Sequence, residues 1–534
     1  MSASNYEMAE TTHMAVDEKQ NELQRTISWT GAFWVASGVP ALVLFSIGAI
    51  AATIGAPSWF VWTLSMIMGF SQSFTYAEIA GLFPNKSGGA SVYGAIAWVR
   101  YSKLVAPLST WCNWFAWSPV LAIGTGLAAG YILTSLFPDN SIIKTWQITL
   151  LNLGWIKEGL ALRINATFIL GAIILLCIFI AQHHGIARAA KIQMIMAIAA
   201  LLPLTVIGIV PLLTGDVLRA NFAPFAPISG AWDKGGWTLF LGGMFIAAWS
   251  TYGFETAVCY TREFKDPKTD TFKAIFYSGL LCMFVFIMVP LCFQGALGVK
   301  GVTDPGIVDG SGVAKAMAGM IHGGVFLTNL IIIMLIFALI LAIMTSMAGS
   351  ARTLYQASVD GWLPKYLSHI NRHGAPTRAM WTDLTFNLIL LMMSDYVFVL
   401  AASNVGYIIF NFLNLNSGWI HRIDNAHVKR PWRAPSWLLG INTVLAFVNL
   451  VFMGAGANVW GKGTLLIGLL WAAMIIPVFL YRHYVTDKGV FPKQMLEELQ
   501  IGEGTVLSKR AGFLPYAAII GGVAVVIISN LVFS

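Results

Sequence analysis

The chain has 534 residues, 57% hydrophobic and only 10% charged, with a formal net charge of +8 at pH 7. A water-soluble domain carries roughly 25% charged residues, so this composition excludes a soluble globular protein and implies a polytopic membrane protein. The positive balance reads as basic residues gathered in loops on one membrane face, not as a nucleic-acid surface, and the five cysteines (Cys112, Cys177, Cys259, Cys282, Cys292) fall in or at the ends of apolar runs as small core residues rather than as a disulfide set or metal site.

Residues 1–28 are polar and lack the apolar core of a cleavable signal peptide, which predicts a disordered cytoplasmic segment. A bilayer core of about 30 Å asks for about 20 apolar residues per helix. By that measure thirteen spans follow, near 31–54, 58–82, 105–136, 162–181, 191–213, 237–259, 274–297, 323–349, 379–394, 397–420, 436–457, 463–481 and 513–533. The predicted fold class is all-α. The third span is long enough to tilt or bend, and the ninth is short. Residues 137–161 and 298–322 read as long outside loops, the second made flexible by Gly298, Gly301, Gly306, Gly310 and Gly312.

Lysine and arginine placement sets the orientation. With the N-terminus in the cytoplasm, the inside loops carry Lys86, Arg100 and Lys103; Arg188 and Lys191; Arg262, Lys265, Lys268 and Lys273; Arg352, Lys365, Arg372 and Arg378; Arg422, Lys429, Arg430 and Arg433; and Arg482, Lys488, Lys493, Lys509 and Arg510. The outside loops are short or charge-balanced, as with Asp216, Arg219, Asp233 and Lys234. The expected setting is a cell inner membrane.

Two spans carry interruptions. Span one reads WVASGVPALVLF, with Ser37 and Gly38 at its middle and Pro40 just behind. Proline lacks the helical N–H and crowds the preceding turn, and glycine weakens the helix further, so an unwound stretch is expected near 36–40. Span six repeats the device with Trp249-Ser250-Thr251-Tyr252-Gly253. The interruptions lie five spans apart, and an odd number turns the second block upside down, the pattern of an inverted repeat with a midplane site between discontinuous helices. Freed N–H groups attract a carboxylate and freed carbonyls a cation, the two ends of a zwitterionic amino acid.

The motifs resemble those of the amino acid–polyamine–organocation (APC) family of permeases over most of residues 29–480. Ser37-Gly38-Val39 is similar to the family's G-S-G-V loop, with Ala36 in place of the first glycine. FTYAEIAGLFPNKSGGASVYGAI (74–96) resembles the end of its second span, WSTYGFETAVCYTREFKDP (249–267) its F-x-G-F-E segment, and GSARTLYQASVDGWLPKYLSHINRHGAP (349–376) its S-R-x-L-Y…D-G-x-L-P motif.

The resemblance implies a LeuT-like inverted repeat of five plus five helices. Residues 1–28 would be the cytoplasmic segment, 29–214 and 236–421 the two repeats of a 29–421 core, 422–484 helices eleven and twelve, and 485–534 a cytoplasmic loop with a thirteenth helix, one more than usual in the family. By the same resemblance Ala36, Ser37, Gly38 and Val39 would meet a substrate carboxylate, and carbonyls near Trp34, Trp249 and Tyr252 its ammonium, with Gly253 at the second break. Trp249 aligns with a gating aromatic. Glu255 reads as a latch to freed backbone N–H groups or as a coupling group, and Glu78 as an interfacial hydrogen-bonding residue. Several proton-coupled relatives carry a lysine in span five where Ala200 aligns here, so exchange, facilitated uptake or coupling through another group such as Glu255 stays open.

Asn113 and Trp117 in span three, Thr345 and Ser346 in span eight, and Ser403 and Asn404 in span ten are further polar or aromatic candidates for the pocket. Deep acidic residues are few beyond Glu255, and Asp383 and Asp395 sit toward the ends of span nine. This favours a secondary transporter for a small neutral amino acid, with a polyamine or other organic amine as the alternative. A channel is the competing class, but no filter-like repeat or ring-forming charge pattern is present. No nucleotide-binding loop appears. His183-His184, His421 and His427 read as solvated interfacial residues, not metal ligands, so no enzyme activity, metal or cofactor is expected; the expected partners are a small molecule and the lipid bilayer.

Overall fold

Helices form where the apolar runs predict them. The computed structural model describes Leu23 and residues 25–138, 140–308, 310, 312–498 and 509–533. Ten helices among these are long and apolar enough to cross a membrane. The other three expected spans are helical at the expected places but fall outside that measure for visible reasons. Span two, Ser58–Gly81, is diluted by Gln72, Glu78 and hydroxyls. Span six gives way after Lys234–Thr251 to a 3-10 tract, Gly253–Glu263. Span nine, Thr377–Leu391, has only 15 residues.

Burial orders the spans. In the most apolar window of Trp29–Ile54, 94% of residues are buried, against 11% for the thirteenth helix, Leu514–Phe533. Span one therefore sits at the centre and span thirteen at the rim. The rim helix docks on span eleven, Ser436–Gly456, where Gly454 brings the backbones so close that a Cβ there would collide with Ser529 Oγ and the Val526 carbonyl. Small residues at a helix crossing allow this approach in a membrane.

Several segments depart from expectation. Span three does bend: it runs as Val105–Trp117 and Val120–Leu136 around Ser118-Pro119. Residues 162–165, expected to open span four, instead belong to a strand, Ala161–Asn165, paired antiparallel with Gln147–Asn152, and the helix starts at Ala166 under an Asn165 cap. The glycine-rich loop after span seven is packed, not loose. It holds helices Pro305–Val308 and Val313–Met320, with Ile307, Val313, Ala314 and Met317 buried, and the Ile307 carbonyl rests on Gly48 of span one. Span eight runs on to Val359, ten residues past its apolar run, because Arg352, Gln356 and Ser358 find buried partners. Most of the N-terminal segment lies outside the described residues. Its end is docked: Arg25 donates to the Phe264 carbonyl at 3.0 Å and to Asn85 Oδ1 at 2.9 Å, and Thr26 N–H to the Glu263 carbonyl.

Several of the basic residues assigned to inside loops are buried in ion pairs. Lys86 pairs with Asp360, both fully buried. Arg352 pairs with Glu263 through two contacts, one at 2.8 Å. Glu78 accepts from Arg422 at 2.6 Å and Arg430 at 3.0 Å. Arg482 reaches Asp487 at 2.6 Å. A short helix, Ala90–Val99, is buried among them. His421 is also buried, with Nε2 3.1 Å from the Tyr93 carbonyl, rather than solvated.

Breaking a buried pair leaves a bare charge, at a cost of about 3–5 kcal/mol, whereas a half-exposed pair contributes at most about 1 kcal/mol. Arg352→Met should therefore unfold in detergent at a clearly lower temperature than the parent. Lys157→Met, which breaks a pair with Asp395 that is 27% and 29% exposed, should leave the melting temperature almost unchanged. Equal shifts in the two variants would remove the distinction.

Candidate functional site

The first interruption follows from three adjacent residues. The helix Trp29–Ala36 ends, a 3-10 turn covers Val39–Leu42, and the helix resumes at Val43–Ile54. Pro40 has no N–H to give Ala36, so the ladder fails there. Both Ser37 N–H, at 3.3 Å, and Ser37 Oγ, at 2.5 Å, turn back to the Trp34 carbonyl. That carbonyl, expected to receive an ammonium, is thus already occupied. The Val35 carbonyl accepts from Thr345 Oγ1 at 2.5 Å and from Gln193 Nε2 at 3.3 Å. Gln193 of span five, two turns before Ala200, thus hydrogen-bonds the broken helix, and it is an amide rather than a lysine.

Gly38 is a close-approach glycine. A Cβ there would lie 2.5 Å from both the Leu341 carbonyl oxygen and Thr345 Oγ1, so the space expected for a carboxylate is filled by span eight. Ala36, Ser37 and Val39 are buried beside it, and Trp34 is half-buried, its ring edge-on to Phe33 at 5.1 Å.

The second interruption meets the first. A Cβ on Gly253 would lie 2.6 Å from the Trp117 ring and 3.1 Å from Val39 Cγ1. Trp249 is fully buried; its Nε1 donates to the Ala116 carbonyl at 2.8 Å, and its ring lies 5.9 Å from Trp117 and 6.0 Å from Phe45. Tyr407 stands edge-on to Trp117 at 5.5 Å. An aromatic wall from spans one, three, six and ten thus covers the two breaks. Packing of rings at these separations favours a rigid lining.

Glu255 is buried at the start of the 3-10 tract. Trp117 Nε1 donates to its Oε1 at 3.0 Å. Its Oε2 lies beside Gly89, the residue before the helix Ala90–Val99, and finds no hydrogen-bond partner among the described residues. A helix N-terminus stabilises a negative charge. Gly89 makes the approach possible at φ 89°, with Glu255 Oε2 and Asn113 Nδ2 both within 4 Å of where a Cβ would stand. Asn113 Nδ2 itself donates to Ser91 Oγ at 2.5 Å.

The remaining candidates divide. Asn404 donates to the Phe245 carbonyl, tying span ten to the regular part of span six, about two turns before the break. Ser403 bonds within its own helix, to Leu400 at 2.8 Å. Ser346 is buried beside Thr345 on span eight. Tyr252 donates its hydroxyl to Asn449 at 3.0 Å, Asn449 donates to Asn411 at 2.8 Å, and Asn411 donates to Gln72 at 2.7 Å. This buried chain across spans two, six, ten and eleven escapes a sequence reading because asparagines alone carry no spacing signal. No group of three or more His, Cys, Asp or Glu able to hold a metal ion occurs among the described residues. A cavity of about 300 Å³ lies apart from the breaks, between spans three, four, nine and ten, with Tyr131, Arg163 and Tyr396 in its lining.

Comparison with known proteins agrees with the motifs. The amino acid permease family profile matches residues 27–480. The branched-chain amino acid permease BcaP of Lactococcus lactis subsp. cremoris is 21% identical over 80% of this chain and 89% of its own length. BcaP of Bacillus subtilis is 24% identical over 68% of this chain and 69% of that protein. The polyamine transporter PUT1 of Oryza sativa subsp. japonica is 22% identical over 77% of this chain and 69% of that protein. With its two interrupted helices in contact and this match over most of its length, the chain belongs to the amino acid permease family, within the APC family that its motifs resemble.

Proposed function

We propose that this permease is a secondary transporter that moves small neutral amino acids by alternating access at a site between the breaks of spans one and six. The observation that carries the reading is the contact of the two breaks, Gly253 against Val39, under the Trp117–Trp249–Phe45 wall. In this reading residues 29–214 and 236–421 form the inverted repeats, the N-terminus is cytoplasmic, and the setting is a cell inner membrane.

The closed packing corresponds to a state without room for substrate. Opening would part Gly38 from Leu341 and Thr345, releasing the amides at the start of Val39–Leu42 to a carboxylate and the Val35 carbonyl to an ammonium. The apolar wall suits a substrate with an aliphatic side chain, in keeping with the branched-chain permeases among the relatives. An organic amine is the second reading, supported by the buried Glu255 and by the relative named a polyamine transporter. Glu255 serves as a latch: it holds Trp117 of span three to span six.

Reconstituted protein should take up a labelled amino acid in a saturable manner and faster when unlabelled substrate is loaded inside. Ohmic current without such counterflow would instead make it a channel. Trp249→Ala should slow uptake strongly while changing the dissociation constant by less than about tenfold, about 1.4 kcal/mol. Equal losses in both would place Trp249 in binding rather than closure. Glu255→Ala orphans the buried Trp117 N–H and should cost about 1–3 kcal/mol more stability than Glu255→Gln, which keeps an acceptor. Thermal unfolding measures the difference, and equal melting temperatures would remove the latch.

A further inference from the structure

Asp383 stands toward the start of span nine in the sequence, yet it is fully buried, about 9 Å into the helix Thr377–Leu391. Its Oδ1 accepts from Trp114 Nε1 at 2.8 Å and from Ser118 Oγ at 2.5 Å, and its Oδ2 accepts from Ser350 Oγ at 2.6 Å. Among the described residues no charged group meets it. Trp114 and Ser118 face it from span three, Ser350 from span eight, and its own helix adds Asn387. Span four, which also packs on span nine, sends no ionisable group to it. Lys365, on the turn beneath, is directed to Asp487 at 3.0 Å.

The donors differ in their freedom. Trp114 can only donate. Ser118 Oγ accepts from Asn387 Nδ2 at 2.7 Å, so its own proton is committed to Asp383. Ser350 alone has another acceptor, the Met347 carbonyl at 3.5 Å. A proton added at Oδ2 therefore needs one hydroxyl rotation: Asp383 then donates to Ser350 Oγ, and Ser350 turns to Met347. Both protonation states are satisfied by the same side chains.

The position ties this site to the breaks. Ser118 holds Asp383, and its neighbour Trp117 holds Glu255, so adjacent residues at the bend of span three each hold one buried carboxyl group. Span eight carries Thr345 against the Val35 carbonyl, Ser350 against Asp383, and Arg352 against Glu263. Glu255 accepts one side-chain hydrogen bond, from Trp117, whereas Asp383 accepts three, and the one from Ser350 can reverse.

We propose that Asp383 is the proton site of the transport cycle, loading at Oδ2 through Ser350 from one side of the membrane and releasing to water on the other. The step forms and breaks only an O–H bond, and the site alternates between charges of −1 and 0. This inference rests on the proposed transport function.

The test uses full-length protein in liposomes, with a panel of neutral amino acids and amines as probes, comparing accumulation driven by an inward proton gradient with counterflow at equal pH. The parent should accumulate substrate up to about tenfold per unit of pH gradient if one proton moves with each substrate. In Asp383→Asn the gradient-driven accumulation, normalised to that variant's own counterflow, should fall to the level without a gradient. Persistence of the gradient effect in Asp383→Asn overturns the proposal, as does a parent that performs counterflow but ignores the gradient; the latter leaves the transport reading intact. Absence of counterflow with every probe removes the transport reading and this inference with it. If Asp383→Asn does not fold, Ser350→Ala decides: the pH of half-maximal uptake should shift, and an unchanged pH profile overturns the proposal.

Discussion

The constraint on which this structure depends is that a backbone N–H or carbonyl inside a membrane must find a partner within the protein. Breaking a helix there costs several kcal/mol per orphaned group. The protein breaks two helices and meets the cost with side chains from other spans. Thr345 and Gln193 take the Val35 carbonyl, and Ser37 takes the Trp34 carbonyl. Each of these bonds joins an interruption to a neighbour or folds it on itself, so each is also a point where movement of one span is felt by another.

That coupling explains why buried polar residues gather on one set of helices. Span three supplies Trp114, Trp117 and Ser118, all adjacent to its own bend at Pro119. Asn387 donates to Ser118, and its Oδ1 accepts the Ala122 N–H at 3.2 Å, close to the bend that proline imposes. Spans eight and ten carry further buried polar groups, while the faces of spans four, five and thirteen are largely exposed apolar side chains suited to lipid. The ion pairs among Lys86, Glu263, Arg352 and Asp360 close the end of the molecule where the N-terminal segment docks, Ile27 bridging to Phe264.

The spans and the two interruptions were legible in the sequence because they rest on local rules. About 20 apolar residues make a span, and Gly38, Pro40 and Gly253 break a helix wherever they stand. The partners were not legible. Gln193 reaches Val35 across 158 positions and Asn404 reaches Phe245 across 159, and no local pattern announces either meeting. Lys86 and Arg352 looked like loop charges because charge is ordinarily solvated, yet their carboxylate partners lie far along the chain. Asp383 looked peripheral because position along a short helix does not reveal which face is covered.

The central claim is that the two breaks form the substrate site. The most direct measurement is an electron cryomicroscopy structure of the protein with a saturating substrate chosen by thermal-shift screening, since a ligand of the folded state raises its melting temperature. The account predicts ligand density between Ser37–Val39 and Trp249–Gly253, with Gly38 parted from Leu341. Ligand density confined to the cavity beside Tyr131 and Arg163, with the two breaks still closed on each other, would contradict it.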